Sequence, residues 1–463
     1  MVPAAMKETV REWANAHGLQ MRKKCRERDE WDITVAPVAL SPAKWPTALY
    51  QAALQAQPIF NKLILEICTE KIWLMGVCAR LEEYDPFVKR LKELWLQSAI
   101  PRTRVGVFRS DYLLHQQPDE AGETLALKQV EINTIAASFP ILSDKVVAMH
   151  QSLGWKSVVE NEASDKIVSC LLTAVNHYRR NANLALDEKC AIVMVVQPDE
   201  GNYFDQQGLS SRLESEGLLV ERMTMTELGE RCRKTNEDIV LHESGHRVAV
   251  VYFRAGYAPE DYQSELDWSG RALVEGAANV IKIPDLALHL AGLKKVQQEL
   301  TNVHTLKRFL PNESERALVM HTFVEILSLD ADEEGDRNVA RALNDPHRWV
   351  VKPQREGGGH NIYGRDVVQF MRETPTTDRA SHILMELIRP PMGEPSTLLR
   401  DDNLWVGPSI SELGIYGIII YCTEEQEIKL NDTAGYLVRT KPSEALEGGV
   451  AAGYAYLNSL QLC

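Results

Sequence analysis

Residues 352–364, Lys-Pro-Gln-Arg-Glu-Gly-Gly-Gly-His-Asn-Ile-Tyr-Gly, combine the group types that hold a polyphosphate. The run Arg348-Trp349-Val350-Val351 has strand character and delivers Lys352 at a strand end. Three consecutive glycines (Gly357, Gly358, Gly359) free the backbone to bring its N–H groups close to a ligand. A lysine ammonium beside unshielded amides makes a concave anion site. Glu356 inside that loop would repel bare phosphate, but it suits a Mg²⁺ bridging carboxylate and phosphate. A second set lies upstream, where Glu131-Ile132-Asn133 closes an apolar run. Strand alternation puts Glu131 and Asn133 on one face, and a carboxylate with a carboxamide oxygen suits a hard cation. The combined expectation is a nucleotide–Mg²⁺ site.

His242-Glu243-Ser244-Gly245-His246 matches a zinc-protease pattern, which requires a helix so that both histidines share a face. Its flanks, Asp238 to Leu241 and Arg247 to Phe253, are β-rich, and Ser-Gly is turn chemistry. A hairpin bend is expected there, and no zinc site.

The elements that must position these groups follow from periodicity. Apolar spacing predicts helices over Lys7–His17, Gln51–Leu81, Tyr84–Ser98 and Ser164–Arg179, and strands over Thr103–Phe108 and Leu125–Ile132. Strand Ala191–Val196, helix Gln206–Gly217, strand Leu218–Met223 and strand Val248–Phe253 predict a compact parallel α/β unit. Ligands of such units bind at the carboxyl ends of strands, where Glu200, Asn202, Gln206, Arg254, Gly256 and Tyr257 fall. The acidic stretch Asp330–Asp336 reads as an exposed loop, and Ile383–Ile388 and Ile415–Tyr421 as strands.

Composition narrows the function classes. The 463 residues allow two or three domains, and 44% hydrophobic with 25% charged residues is ordinary for a globular protein. A net charge of −14 argues against nucleic acid or an anionic membrane as partner. Small molecules are the expected partners. The eight cysteines are scattered without a C-x-x-C pair, which reads as reduced thiols. The N-terminal residues lack a secretory apolar core, no apolar run reaches membrane length, and the expected location is cytoplasmic.

A lysine strand, a glycine-rich loop and a Glu-x-Asn strand resemble the ATP-grasp ligases, with the Glu-x-Asn strand here preceding the lysine strand. That inverted order marks a circularly permuted ATP-grasp fold. The chain resembles the eukaryotic-type glutathione synthetases through stretches in the family's order. They are Arg109–Tyr112, Gln129–Ile135, Tyr252–Arg254, Lys294–Leu300, Lys352–Gly359, Ser411–Ile415, Leu437–Lys441 and Gly448–Gly453. The resemblance implies a mixed α/β ATP-grasp fold with an inserted parallel α/β substrate-binding domain and a glycine-rich lid. The corresponding division is 1–190 and 294–463 for the ATP-grasp parts, 191–293 for the insertion, and about 335–410 for the lid region. It implies a homodimer, Mg²⁺ (two ions) and ATP as co-substrate. The implied reaction is ATP-dependent ligation of γ-glutamylcysteine to glycine through an acyl phosphate.

Carried over by position, the resemblance gives Mg²⁺ to Glu131, Asn133 and Glu356, and catalytic cations to Arg109, Lys352 and Arg439. ATP would meet Glu131, Lys294, Lys352, Pro353, Gln354, Arg355, Glu356, the loop Gly357–Gly358–Gly359–His360–Asn361, and Tyr363. The adenosine would lie against Met385, Glu386, Leu387, Ile388, Glu412, Lys441 and Glu447. The dipeptide would meet Arg109, Ile135, Ala136, Ala137, Ser138, Glu200, Gly201, Asn202, Gln206, Arg254, Ala255, Gly256 and Tyr257. Arg439, Val450 and Ala451 would receive glycine. Five positions depart from the family's usual residues: Ala136 for serine, Gly201 for arginine, Ala255 for an acidic residue, Leu387 for lysine and Glu447 for aspartate. A nucleotide-binding protein without ligase activity is the second reading, motivated by that altered dipeptide pocket. Intact Arg109, Glu131, Asn133 and Glu356 favour the ligase.

Overall fold

The computed structural model describes residues 3–24, 30–119, 122–185, 188–355 and 360–463. Its largest sheet has seven strands in the order Pro395–Arg400, Val38–Ala39, Tyr456–Asn458, Glu427–Pro442, Asn403–Cys422, Thr103–Asp119 and Gly122–Asn133. The four long strands at its core are antiparallel neighbours. They are rich in β-branched and aromatic residues, and Ile415, Tyr416, Ile418, Ile419 and Ile420 are all buried. Helix Thr47–Thr69 packs across this sheet, burying Phe60, Leu63, Ile64 and Ile67, each worth about 1.5–3 kcal/mol. Asn61 of the helix donates to Asn431 Oδ1 at 3.0 Å and Asp432 O at 3.1 Å. The approach is so close that a Cβ at Gly417 would lie 2.0 Å from Asn61 Oδ1.

A six-stranded sheet runs Leu219–Met223, Cys190–Val195, Arg247–Phe253, Asp238–Leu241 and Cys232–Thr235, with Ile281–Ile283 also paired to Arg247–Phe253. Its pairings are parallel around Cys190–Val195 and Arg247–Phe253, as the alternating strand and helix pattern requires, and antiparallel at the Cys232–Leu241 side. Asp238–Leu241 and Arg247–Phe253 are antiparallel with Val240 opposite Arg247. His242 and His246 therefore flank a turn, with Gly245 at φ +69°, and do not share a helix face. A third, antiparallel sheet contains Ile326–Ser328, His382–Glu386, Trp349–Pro353 and Ile362–Tyr363.

The differences from expectation have local causes. The periodicity over Gln51–Leu81 becomes two helices, Thr47–Thr69 and Lys71–Leu81, divided at Glu70 with ψ 65°. No glycine or proline marks that break, so packing overrides propensity. The strand expected over Thr103–Phe108 continues to Asp119, because Arg109 and Asp111 neutralise one another on one face. The acidic loop expected at Asp330–Asp336 is partly helix. Asp332 caps Glu333–Asn344, accepting from Gly335 N at 2.8 Å, and its acidic first turn suits the helix N-terminus. The hairpin Gln20–Lys24/Trp31–Val35 had no clear sequence signal. Among the described residues no helix is long and apolar enough to cross a membrane, and the cysteines are free.

Candidate functional site

Residues of the seven-stranded and antiparallel four-stranded sheets, with those of the segments beyond the strand ends of the six-stranded sheet, line one cavity of about 470 Å³. Its floor is the face shared by Gly122–Asn133, Thr103–Asp119, Asn403–Cys422 and Glu427–Pro442. Register places Arg109 opposite Asn133, Asp111 opposite Glu131 and Gly414, and Glu412 opposite Arg439. Asp111, wholly buried, organises this floor. Arg109 grips it with Nε at 2.6 Å and Nη2 at 2.8 Å, Arg439 Nη2 reaches it at 3.0 Å, and Asn133 Nδ2 at 2.9 Å. A Cβ at Gly414 would lie 2.6 Å from Asp111 Oδ1 and 2.8 Å from Arg109 Cδ, so the glycine leaves room for the pair to lie flat. Arg439 also pairs with Glu412. Burial works against its charge, but Glu412 and Asp111 more than restore it.

Lys294 Nζ lies 2.6 Å from Glu131 Oε2, and Lys352 Nζ donates to Val130 O at 3.1 Å. Burial pushes the Glu131 carboxyl up, but Lys294 and Lys352 outweigh it and hold it well below the usual carboxylate range. The Lys352 ammonium is shifted the other way, below the ordinary lysine value by burial, with Glu131 only partly offsetting it. Lys441, lowered by burial in the same manner, donates to Leu446 O at 2.7 Å.

One end of the cavity is apolar. Leu113, Val130, Val350, Met385, Leu387, Ile388 and Ile410 line it with Tyr363, and several of these form one packed cluster. The strand expected over Ile383–Ile388 ends at Glu386. The Leu387 N–H donates to Arg348 O and the Glu386 N–H to Glu325 O, both at 2.8 Å. Those two amides are thus already spent. Asn361 and Glu447 close this end, with Asn361 Nδ2 3.4 Å from Glu447 Oε2.

The other end is polar and lies at the carboxyl ends of the Cys190–Val195 and Arg247–Phe253 strands. Glu200, Asn202, Gln206, Arg254 and Tyr257 meet Ile135, Ala136 and Ser138 there. Arg254 is buried and donates to Ala137 O at 2.7 Å and Ser138 Oγ at 2.6 Å. Asp205 accepts from the backbone N–H groups of Phe139, Ile141 and Leu142 at 2.9–3.2 Å. These bonds hold Phe139 at φ 77°, and Ala136 shortly before it stands at φ 52°, a left-handed backbone that non-glycine residues adopt only where surroundings over-determine it. Burial raises the Tyr257 hydroxyl to about 12. Tyr257 OH accepts from Gln197 Nε2 at 3.0 Å.

Most expected site residues line this cavity, Val450 and Ala451 included. Lys294, Pro353, Gln354, Arg355, His360, Ala137, Gly201, Ala255 and Gly256 do not. Arg355 turns away to pair with Asp85 (2.5 and 3.2 Å), the N-cap of helix Pro86–Gln97. Gln354 Oε1 accepts the Lys295 N–H at 2.9 Å. Both side chains are therefore spent on holding the strand end in place. Gly201 lies where the hairpin strand Gln20–Lys24 crosses: Arg22 N donates to its oxygen at 2.9 Å, and a Cβ would meet Arg22 O at 3.3 Å. Glu356, Gly357, Gly358 and Gly359 lie outside the described residues.

Sequence reasoning did not single out Asp111, Asp205 or Tyr416, whose hydroxyl donates to Ser138 O. Asp111 was signalled by its alternation with Arg109; Tyr416 carries no local signal, since it meets Ser138 only through the fold.

Glu131 and Asn133 offer a carboxylate and a carboxamide oxygen in one cavity. The Asn133 Nδ2 is committed to Asp111 and to Arg109 O at 3.4 Å, which leaves Oδ1 as its acceptor. This all-oxygen pair fits Mg²⁺, which is held by one or two protein groups plus phosphate oxygens. Among the described residues no cluster of three or more His, Cys, Asp or Glu forms a closed metal cage.

A mixed α/β fold whose sheets enclose an apolar end, a cationic middle and a polar end defines a small-molecule enzyme with room for an anionic ligand between two others. The family model described as "Eukaryotic glutathione synthase, ATP binding domain" matches residues 3–462. The chain belongs to that family. It is 38% identical to the chloroplastic glutathione synthetase of Solanum lycopersicum over 97% of this chain and 82% of that one. It is 35% identical to the glutathione synthetase of Homo sapiens over 96% of this chain and 94% of that one. The structure of a glutathione synthetase-like effector from Globodera pallida superposes with a TM-score of 0.76, covering 99% and 96% of the two chains at 19% identity, and shares the fold.

Proposed function

We propose that this chain forms glutathione by ATP-dependent ligation of γ-glutamylcysteine to glycine, through an acyl phosphate and with release of ADP and phosphate. The observation that carries this reading is the continuity of the cavity. Arg109, Lys352 and Arg439 meet between an apolar end suited to adenine and a polar end suited to a dipeptide.

The adenine would lie between Tyr363, Val350 and the Met385–Ile388 segment. With the Glu386 and Leu387 amides already used, its edge is left the segment's carbonyls and Ile388. Lys352 would reach the phosphates once it leaves the Val130 carbonyl, and Lys294 would follow from Glu131. Mg²⁺ held by Glu131, Asn133 and Glu356 would supply positive charge against the phosphoryl oxygens. Arg109, held in one orientation by Asp111, would face the cysteinyl carboxylate and balance the charge as it attacks the γ-phosphate. No side chain need form a covalent bond; positioning and fixed charge are enough for phosphoryl transfer. Glu200 would take the dipeptide's α-ammonium and Arg254 its α-carboxylate. Arg439 with Val450 and Ala451 would receive glycine, and glycine rather than β-alanine as the acceptor is what the likeness to the family supports.

The finer architecture belongs to the same reading: a permuted ATP-grasp fold, residues 191–293 as the inserted dipeptide-binding unit, about 335–410 as the lid region, and a homodimer. Free, mostly buried thiols support a reducing compartment such as the cytoplasm.

Release of ADP from Mg²⁺-ATP tests the function, omitting γ-glutamylcysteine and glycine in turn and replacing glycine with β-alanine. Turnover that needs both, with β-alanine poor, is expected. Nucleotide binding without release in any combination would instead make this a binding protein.

A further inference from the structure

One arginine outside the cavity governs a residue inside it. Arg222 stands on Leu219–Met223, the edge strand of the six-stranded sheet. Its Nη2 donates to Gln206 Oε1 at 2.6 Å. The Gln206 amide is then oriented: Nε2 must face Glu200, and it donates to Glu200 Oε2. The other carboxylate oxygen, Oε1, accepts the Asn202 N–H at 2.7 Å. Glu200, Asn202 and Gln206 line the cavity, and Arg222 does not.

A glutamine amide with no partner on its oxygen can turn over. Its Oε1 would then face a carboxylate oxygen, an acceptor against an acceptor. The Glu200 carboxylate disfavours that state, and the Arg222 bond adds a donor on the amide oxygen that the turned amide would lose, so the two together fix one orientation. The arginine is kept there at a cost. Its Nε is buried without a partner, and its Cζ lies 4.5 Å from the Tyr203 ring centroid, beside Arg22 at 3.4 Å from the same centroid. Burial foremost, and the like charge of Arg22, press against the Arg222 charge, while Tyr203 and Glu200 support it.

We propose that Arg222 is a positioning residue for recognition of the substrate's ammonium group: it fixes the Gln206 amide, which fixes the Glu200 carboxylate that faces the ammonium. This rests on the reading of the cavity as a γ-glutamylcysteine site.

Steady-state kinetics of wild type, Arg222→Met and Arg222→Lys test it, each with γ-glutamylcysteine and with N-glutarylcysteine, which lacks only the amino group. Arg222→Met is expected to raise KM for γ-glutamylcysteine about tenfold, with kcat and KM for ATP unchanged and with KM for N-glutarylcysteine equal to that of wild type. Arg222→Lys, which keeps the charge without the fork, should recover part of the loss. It carries the same comparison should the methionine variant not fold. An equal rise for both substrates, or a fall in kcat with a rise in KM for ATP, would overturn the positioning role in favour of a structural one. Wild-type turnover with Arg222→Met unaltered would overturn it outright. Absence of wild-type turnover would overturn the functional reading itself, a separate and distinguishable failure.

Discussion

The two ends of the cavity hold their positive charge in different ways. On the dipeptide side the cations are arginines whose forks are already locked, Arg109 on Asp111 and Arg254 on Ala137 O and Ser138 Oγ. On the nucleotide side they are lysines: Lys352 and Lys441, which line the cavity, rest on the backbone carbonyls of Val130 and Leu446, and Lys294 behind them rests on the Glu131 carboxylate. A planar guanidinium is pre-organised, whereas an ammonium on a flexible stem can swing to a new partner. The difference suggests a division of labour. One end is rigid before substrate arrives and sets the geometry of the reacting carboxylate; the other adapts to a nucleotide.

The largest expected effect comes from breaking the rigid end. Arg109→Ala removes the cation nearest the reacting carboxylate, and kcat should fall by about 10²–10³ or more. Arg109→Lys should recover little, because a point charge cannot grip both Asp111 oxygens. A lysine variant near wild-type kcat would erase the contrast between the ends.

Lys352→Met should raise KM for ATP by roughly 10–100-fold, the worth of one charged hydrogen bond. Calorimetric affinity for γ-glutamylcysteine in the absence of nucleotide should stay unchanged. A loss of dipeptide affinity would mean that the two ends are not separable.

Proton linkage sharpens the comparison further. Burial lowers the Lys352 and Lys441 ammonium groups from the ordinary lysine value. The alkaline limb of kcat/KM for ATP should therefore fall below the ordinary lysine pKa of about 10.4. Because these folded-state values are lowered, deprotonation favours the fold, so their contribution to stability rises as pH climbs through them. Glu131 has the same sign in the acid range, for the opposite reason: here it is the charged form that the fold favours. Its depressed carboxyl contributes stability that is present above the ordinary carboxylate value of about 4.3 and is lost as pH falls below it. Glu131→Gln should remove that acid-side loss in thermal melts followed from pH 6 down to about pH 3.

The smallest effect is a control outside the site. Asp332→Ala deletes an N-cap and should cost about 1 kcal/mol, lowering Tm by less than about 2 °C. Its kcat and KM values should match wild type.

Much of the site was legible because its residues sit at strand ends beside glycines or in alternation. Glu131 and Asn133, Glu200 and Gln206, Arg254 and Tyr257 all announce themselves that way, and all line the cavity. What stayed hidden depends on pairing across the sheets. The Thr103–Asp119 strand looked finished at Phe108 because Arg109 and Asp111 are charged, yet paired with each other they continue the strand into the core. Arg355 is an ATP contact only by resemblance to the family, and the fold reveals Asp85 beside it. Asp332 looked like part of a loop because acidic residues mark both exposed turns and helix starts.

The most direct test of the central claim, that the cavity brings the dipeptide carboxylate to the γ-phosphate beside Arg109, is isotope transfer. γ-Glutamylcysteine carrying ¹⁸O in both oxygens of its cysteinyl carboxylate is turned over with Mg²⁺-ATP and glycine, and the released phosphate is analysed by mass. One ¹⁸O per phosphate is the predicted result, since the attacking carboxylate oxygen leaves with the phosphoryl group. Unlabelled phosphate accompanying labelled glutathione would contradict it.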